Sequence, residues 1–125
     1  MCQGVVLREV FGGGGVDARG AGTVGAGLVA SRIEGRATHG LLRAPMYLRR
    51  LRAGTLSTSG AIRLVHDGGA VAVYDGCLVL GHAAAGQAMS AAVAKASAFG
   101  ISAVAVRSAT HFGVAGAVAR DAACL

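Results

Sequence analysis

Apolar residues recur at helical spacing from Val5 to Phe11, with Val6 and Val10 on one face beside Leu7 and Phe11, and the glycines from Gly12 to Gly15 then stop the pattern. Asp17 is placed to cap a second helix running to about Ile33. Val24 and Leu28 give that helix its apolar positions, while Gly20, Gly22, Gly25 and Gly27 each weaken it by up to roughly 1 kcal/mol. A third helix is expected from Thr38 to Arg52, kinked at Pro45 and closed before Gly54. Ala61 to His66 and Val71 to Tyr74 are β-like runs joined through Asp67-Gly68-Gly69, a hairpin turn sequence. Ala83 to Phe99 then predicts an alanine-rich helix with a stripe at Met89, Val93 and Ala96, and Gly100 ends it. Ile101 to Val106 is expected as a buried strand.

The pattern gives an α/β chain of mixed α+β character: N-terminal helices over residues 1–55, then a small mixed sheet over 56–125 holding one β-α-β crossover. That crossover would bring His111 to the carboxyl end of a strand, where ligands commonly sit in open α/β sheets. No internal repeat or linker divides the chain, so 1–125 is read as one segment.

With 21 glycines and five aromatic residues, each buried side chain removes little apolar area, and a thin core of marginal stability is expected. Cys2, Cys77 and Cys124 form no paired motif and are odd in number, which fits a reducing compartment, the cytoplasm by default. No secretory signal pattern opens the chain. The uncharged run from Gly76 to Ala94 contains His82, Gln87 and Ser90, and reads as a turn and a small-residue helix rather than a membrane span. The net charge of +6 invites a nucleic-acid reading, because Arg32, Arg36, Arg43, Arg49, Arg50 and Arg52 crowd one stretch, and Arg36, Arg43 and Arg50 recur every seven residues. A small basic nucleic-acid-binding protein is therefore kept as an alternative, although no known nucleic-acid module is matched. Gly20-Ala21-Gly22-Thr23-Val24-Gly25 matches the G-x-G-x-x-G dinucleotide fingerprint in form only: a capping aspartate, not a strand, precedes it.

Two segments carry chemistry. In the first, His39, Arg43 and Tyr47 stand at i, i+4 and i+8, which on a helix forms a stripe spanning roughly 80° of one face. Arginine grips a carboxylate through parallel hydrogen bonds and histidine moves protons near neutral pH, so the set suits a small carboxylic acid. In the second, His111 again stands beside a small-residue turn, in Thr110-His111-Phe112-Gly113. His66 and His82 lack comparable neighbours.

Thr38-His39-Gly40-Leu41-Leu42-Arg43 and Thr110-His111-Phe112-Gly113 resemble two segments of the malate/L-lactate dehydrogenase family, and the similarity runs from about Leu7 to Leu125 through Tyr74-Asp75-Gly76 and Gly100 to Arg107. The resemblance implies a non-Rossmann dehydrogenase fold, of which this chain is the N-terminal part with the remainder absent. It implies an oxidoreductase moving a hydride between NAD or NADP and a small 2-hydroxy or 2-keto acid such as malate or lactate, homodimeric at full length. A non-catalytic remnant of such an enzyme is the further alternative. By resemblance both histidines line the substrate site, with His111 as proton acceptor and His39 as second catalytic group, or with the position of His39 as proton donor supported by Thr38 as in some relatives; Arg43 clamps the carboxylate and Tyr47 adds a hydroxyl. The resemblance implies that most nucleotide-binding residues of the family, and a carboxylate that assists a histidine, lie beyond the point corresponding to Leu125, so no cofactor residue is assigned, and no metal is implied. Met46, Leu78-Val79 and His82 depart from the family pattern; relatives often carry glutamine at the position of His82.

Overall fold

The computed structural model describes residues 2–124. Helices α1 (Cys2–Gly13) and α2 (Ala18–Ile33) pack together, two 3₁₀ turns (Ala37–His39 and Leu41–Arg43) lead into α3 (Ala44–Arg52), and the sheet region follows as β1 (Arg63–Gly68), β2 (Val71–Asp75), α4 (Gly81–Phe99), β3 (Ala103–Arg107) and α5 (Ala115–Ala123). The mixed α/β class is as expected.

Asp17 caps α2 as its position predicts, its Oδ1 accepting the Gly20 amide at 2.8 Å. Its Oδ2 also accepts the amide of Gly60, so one carboxylate ties the start of α2 to the segment before the sheet. Replacing Asp17 with alanine should therefore lower stability by about 1–2 kcal/mol, the upper range for an N-cap, in a urea titration at neutral pH. A loss indistinguishable from zero would show that the cap and the Gly60 bond contribute nothing net.

The core lies where α1, α2 and α3 meet: Phe11, Val24, Leu28 and Tyr47 are fully buried, with Leu7, Leu51, Leu56 and Leu80 around them. The glycines of α2 are used for close approach. A Cβ at Gly25 would stand 3.3 Å from the Gly4 carbonyl and Leu7 Cβ, so its absence lets α1 lie directly on α2.

The sheet order is β1-β2-β3, antiparallel between β1 and β2 and parallel between β2 and β3, with α4 as the crossover. The hairpin is tighter than the expected Asp67-Gly68-Gly69 turn: β1 runs through Gly68, and Gly69 at φ +74° turns the chain with Ala70. Gly100 closes α4 as expected, at φ +81° with its amide bonded to Ala96 O. β3 is shorter than expected and is not buried; Val104 and Val106 are half-covered, and Ala103, Ala105 and Arg107 are exposed. Among the described helices, α4 makes the main packing against it.

The expected third helix is the largest correction. Residues 38–43 form two 3₁₀ turns broken at Gly40, and Pro45 stands in the first turn of α3, where its missing N–H costs nothing, rather than at a kink. The seven-residue arginine repeat thus falls on three different pieces of chain. Arg36 pairs with Glu34, Arg43 Nε bonds Thr38 O, and Arg50 Nε reaches Thr55 Oγ1, so no continuous basic stripe forms. Among the described residues no helix is long and apolar enough to cross a membrane.

Candidate active site

Two loops leave the carboxyl ends of the parallel strands β2 and β3 and are laced together. Gly76 N donates to Arg107 O at 2.8 Å and Leu78 N to Ser108 O at 3.1 Å. Gly81 N donates to Thr110 Oγ1 at 2.9 Å, and that hydroxyl donates to Val79 O at 3.1 Å. Cys77, Leu78 and Ser108 all take positive φ, a backbone strain the lacing must hold. The Thr110–Gly113 segment is thereby pinned against the first turn of α4.

On this platform His111 meets the residues of the 3₁₀ turns. The rings of His39 and His111 lie 5.4 Å apart at 32°, and Tyr47 Oη is 2.7 Å from His111 Nδ1. Thr38 Oγ1 is 3.1 Å from His39 Nδ1. Arg43 is close enough to act on both Tyr47 and His111 electrostatically. The structure therefore gathers Thr38, His39, Arg43, Tyr47 and His111, by way of 3₁₀ turns and not by the single helical stripe that their spacing suggests. Burial pushes the His111 pKa down, with the Arg43 and His39 charges adding to it, so the ring is held neutral at physiological pH.

Tyr47 stands differently from expectation. It is fully buried and its hydroxyl is spent on His111, so it backs the histidine instead of adding a hydroxyl to an open pocket. Desolvation raises its pKa, ahead of the opposing Arg43 and Arg50 charges, which keeps the O–H intact.

His82, which sequence reasoning set aside, belongs to the same assembly. Its ring meets Tyr47 edge to face at 5.8 Å and 88°. A Cβ at Gly27 would stand 2.7 Å from His82 Cδ2, and one at Gly113 would stand 2.5 Å from His82 Nε2, so two glycines from distant parts of the chain leave the imidazole its space. Both ring nitrogens are buried without a hydrogen-bond partner, and burial, with a smaller contribution from His111, drives the pKa down to about 4. No local pattern could have shown this, because the cradle is made by α2 and the His111 loop together.

A groove of about 790 Å³ between α2, α4 and α5 has His82 in its wall, but His39, Arg43 and His111 do not line it. The G-x-G-x-x-G string lies within α2 with no strand before it; Gly20 N is bonded to Asp17 Oδ1, and Gly81 N at the start of α4 to Thr110 Oγ1. No group of three or more metal-ligating side chains occurs among the described residues.

Comparison with known proteins identifies the family and the fold. The family model for malate/L-lactate dehydrogenase matches residues 5–124. Hydroxycarboxylate dehydrogenase B of Escherichia coli O157:H7 is 32% identical over 99 residues, covering 79% of this chain and 27% of that protein. L-sulfolactate dehydrogenase of Methanocaldococcus jannaschii is 36% identical over 77 residues, covering 62% of this chain and 22% of that protein. Among solved structures, the malate dehydrogenase of Pyrococcus horikoshii superposes with a TM-score of 0.92 at 28% identity, covering 95% of this chain and 34% of that one. The sulfolactate dehydrogenase of Methanocaldococcus jannaschii gives a TM-score of 0.91 at 32% identity, covering 94% and 34%. The chain thus spans about a quarter of the curated relatives and a third of the solved ones. With its fold, its two histidine segments and a family match over nearly its whole length in agreement, the chain belongs to the malate/L-lactate dehydrogenase family.

Proposed function

We propose that this chain supplies the acid-handling half of an NAD- or NADP-dependent 2-hydroxy-acid dehydrogenase, acting on a small 2-hydroxy or 2-keto acid. The observation that carries the reading is the approach of His39 and His111 to 5.4 Å, with the Arg43 guanidinium near enough to His111 to act on it electrostatically. The cofactor would supply the hydride acceptor or donor.

The residues present account for the other requirements. Arg43 Nε is spent on Thr38 O at 2.8 Å, which fixes the guanidinium and leaves its terminal nitrogens for a substrate carboxylate, opposed only by a weak contact of Nη1 with Met46 Sδ at 3.8 Å. Oxidation needs a group to take the hydroxyl proton and another to hold the substrate oxygen, and the two facing imidazoles are the groups available. Thr38 Oγ1 orients His39. Assembly into a homodimer and a cytoplasmic location belong to the same proposal and rest on the family.

The test is a panel of small 2-keto acids offered with NADH and with NADPH to the gene product carrying this sequence, followed by cofactor absorbance. Turnover of a keto acid is expected; a purified protein that oxidises neither cofactor with any of them would overturn the reading. Arg43→Ala should raise KM for the acid about tenfold to a hundredfold, the equivalent of about 1.5–3 kcal/mol for a lost hydrogen bond to a charged group. An unchanged KM would remove Arg43 from the carboxylate site.

A further inference from the structure

Two groups converge on one nitrogen of His111. Tyr47 Oη lies 2.7 Å from Nδ1, and the amide of Gly113 donates to the same atom at 3.2 Å. A hydroxyl can donate or accept, but a backbone amide only donates, so a neutral ring that receives it must carry its lone pair on Nδ1 and its proton on Nε2. We propose that Tyr47 is a positioning residue that, with the Gly113 amide, holds neutral His111 as the Nε2–H tautomer, so that His111 faces a ligand as a hydrogen-bond donor.

The surroundings make this a fixed arrangement. Tyr47 is fully buried, wedged between Phe11 at 6.5 Å and the His82 ring at 5.8 Å, so its hydroxyl cannot turn to bulk water and its best partner is His111. His82 is in turn seated between Gly27 and Gly113, and Gly113 is the residue whose amide reaches Nδ1. The same glycine thus admits the ring that supports Tyr47 and donates the second hydrogen.

The consequence separates the two histidines, and here the inference rests on the proposed dehydrogenase reading. With a proton already on Nε2, neutral His111 can steady a carbonyl or alkoxide oxygen but cannot take the hydroxyl proton there. His39 can: its Nδ1 neighbour is the Thr38 hydroxyl, which both donates and accepts and so permits either tautomer. The substrate O–H bond breaks and a bond forms from that proton to a His39 ring nitrogen; of the two assignments the family resemblance allows, this is the one that gives the proton to the position of His39, supported by Thr38.

Long-range ¹H–¹⁵N correlation spectra of the histidine rings test this without substrate or cofactor, at about pH 8, where an ordinary histidine is neutral. His111 is expected to show a pyridine-like Nδ1 and a protonated Nε2. Tyr47→Phe, which removes the hydroxyl and keeps the ring, should shift His111 towards a mixture of tautomers while His39 stays as it was. A protonated Nδ1 in the wild-type spectrum overturns the proposal whether or not the variant folds, and a folded Tyr47→Phe with unchanged His111 nitrogens removes Tyr47 from it. Because the spectrum needs no turnover, a chain inactive on every keto acid would still give either answer.

Discussion

Between pH 6.5 and pH 4 the protein is expected to lose about 3 kcal/mol of stability through His82 alone, since its pKa falls from 6.5 to about 4 on folding. The unfolded chain takes up the proton as pH drops through the ordinary histidine value, whereas the folded chain refuses it until about 4, so proton binding favours unfolding across that window and levels off below it. The cause is burial first, then the neighbouring His111. His111, whose pKa is also lowered by burial, adds to the loss with the same sign. The carboxylates act lower on the scale. Asp17 is held down by the Gly20 amide, Asp67 by Lys95 and Asp75 by the Cys77 amide, so what they contribute is lost only below the usual carboxylate range. Urea titrations through the window would show the fall, and His82→Gln should flatten most of it because an amide does not titrate. Equal stability of the wild type at both ends of the window would mean that the imidazole is hydrated and not sealed in.

The same histidine marks the boundary of what the sequence can tell. Capping aspartate, alanine-rich stretch and stop glycine act within one turn of themselves, and α2 and α4 accordingly stand close to where Asp17, Ala83 to Phe99 and Gly100 place them. The break at Gly40 is of another kind. A Cβ there would stand 3.1 Å from Leu28 O and Arg32 N, so the chain pauses at Gly40 to lie against α2, and the 3₁₀ turns on either side follow from that contact, not from periodicity. Arg43 and His39 converge all the same, because they are close in sequence and a tighter helical turn still brings neighbours together. The sequence groups Tyr47 with His39 and Arg43 but does not show its bond to His111, 64 residues away, and it does not place His82, whose seat is set by paired glycines of α2 and the His111 loop. β3 differs from its predicted burial for a simpler reason: Ile101 to Val106 is apolar enough for a core strand, but among the described residues one face of Ala103–Arg107 is half-covered and the other exposed.

Gly81→Ala should disable the site while Gly86→Ala, five positions along the same helix, should be harmless. At Gly86 nothing lies within 4 Å of an added Cβ, and the better helix propensity of alanine would stabilise α4 by about 0.5–1 kcal/mol. At Gly81 the added atom would fall inside contact distance of the carbonyl oxygens of Thr110 and His111, both backbone atoms that no rotamer change can move aside. Either α4 or the His111 loop must retreat, and the loop is tethered to this turn through the Gly81 amide and the Thr110 hydroxyl, so the strain passes to His111. Overpacking of this kind costs about 1–3 kcal/mol of stability. The functional cost is expected to be larger in proportion, because a displacement of about 1 Å in a reacting group lowers turnover by about a hundredfold. Comparing kcat/KM and urea midpoints for the two variants separates the effects: Gly81→Ala falls in both, Gly86→Ala in neither. Parity between them would mean that the junction of α4 with the His111 loop yields without disturbing the histidine, and the lacing described above would not be what positions it.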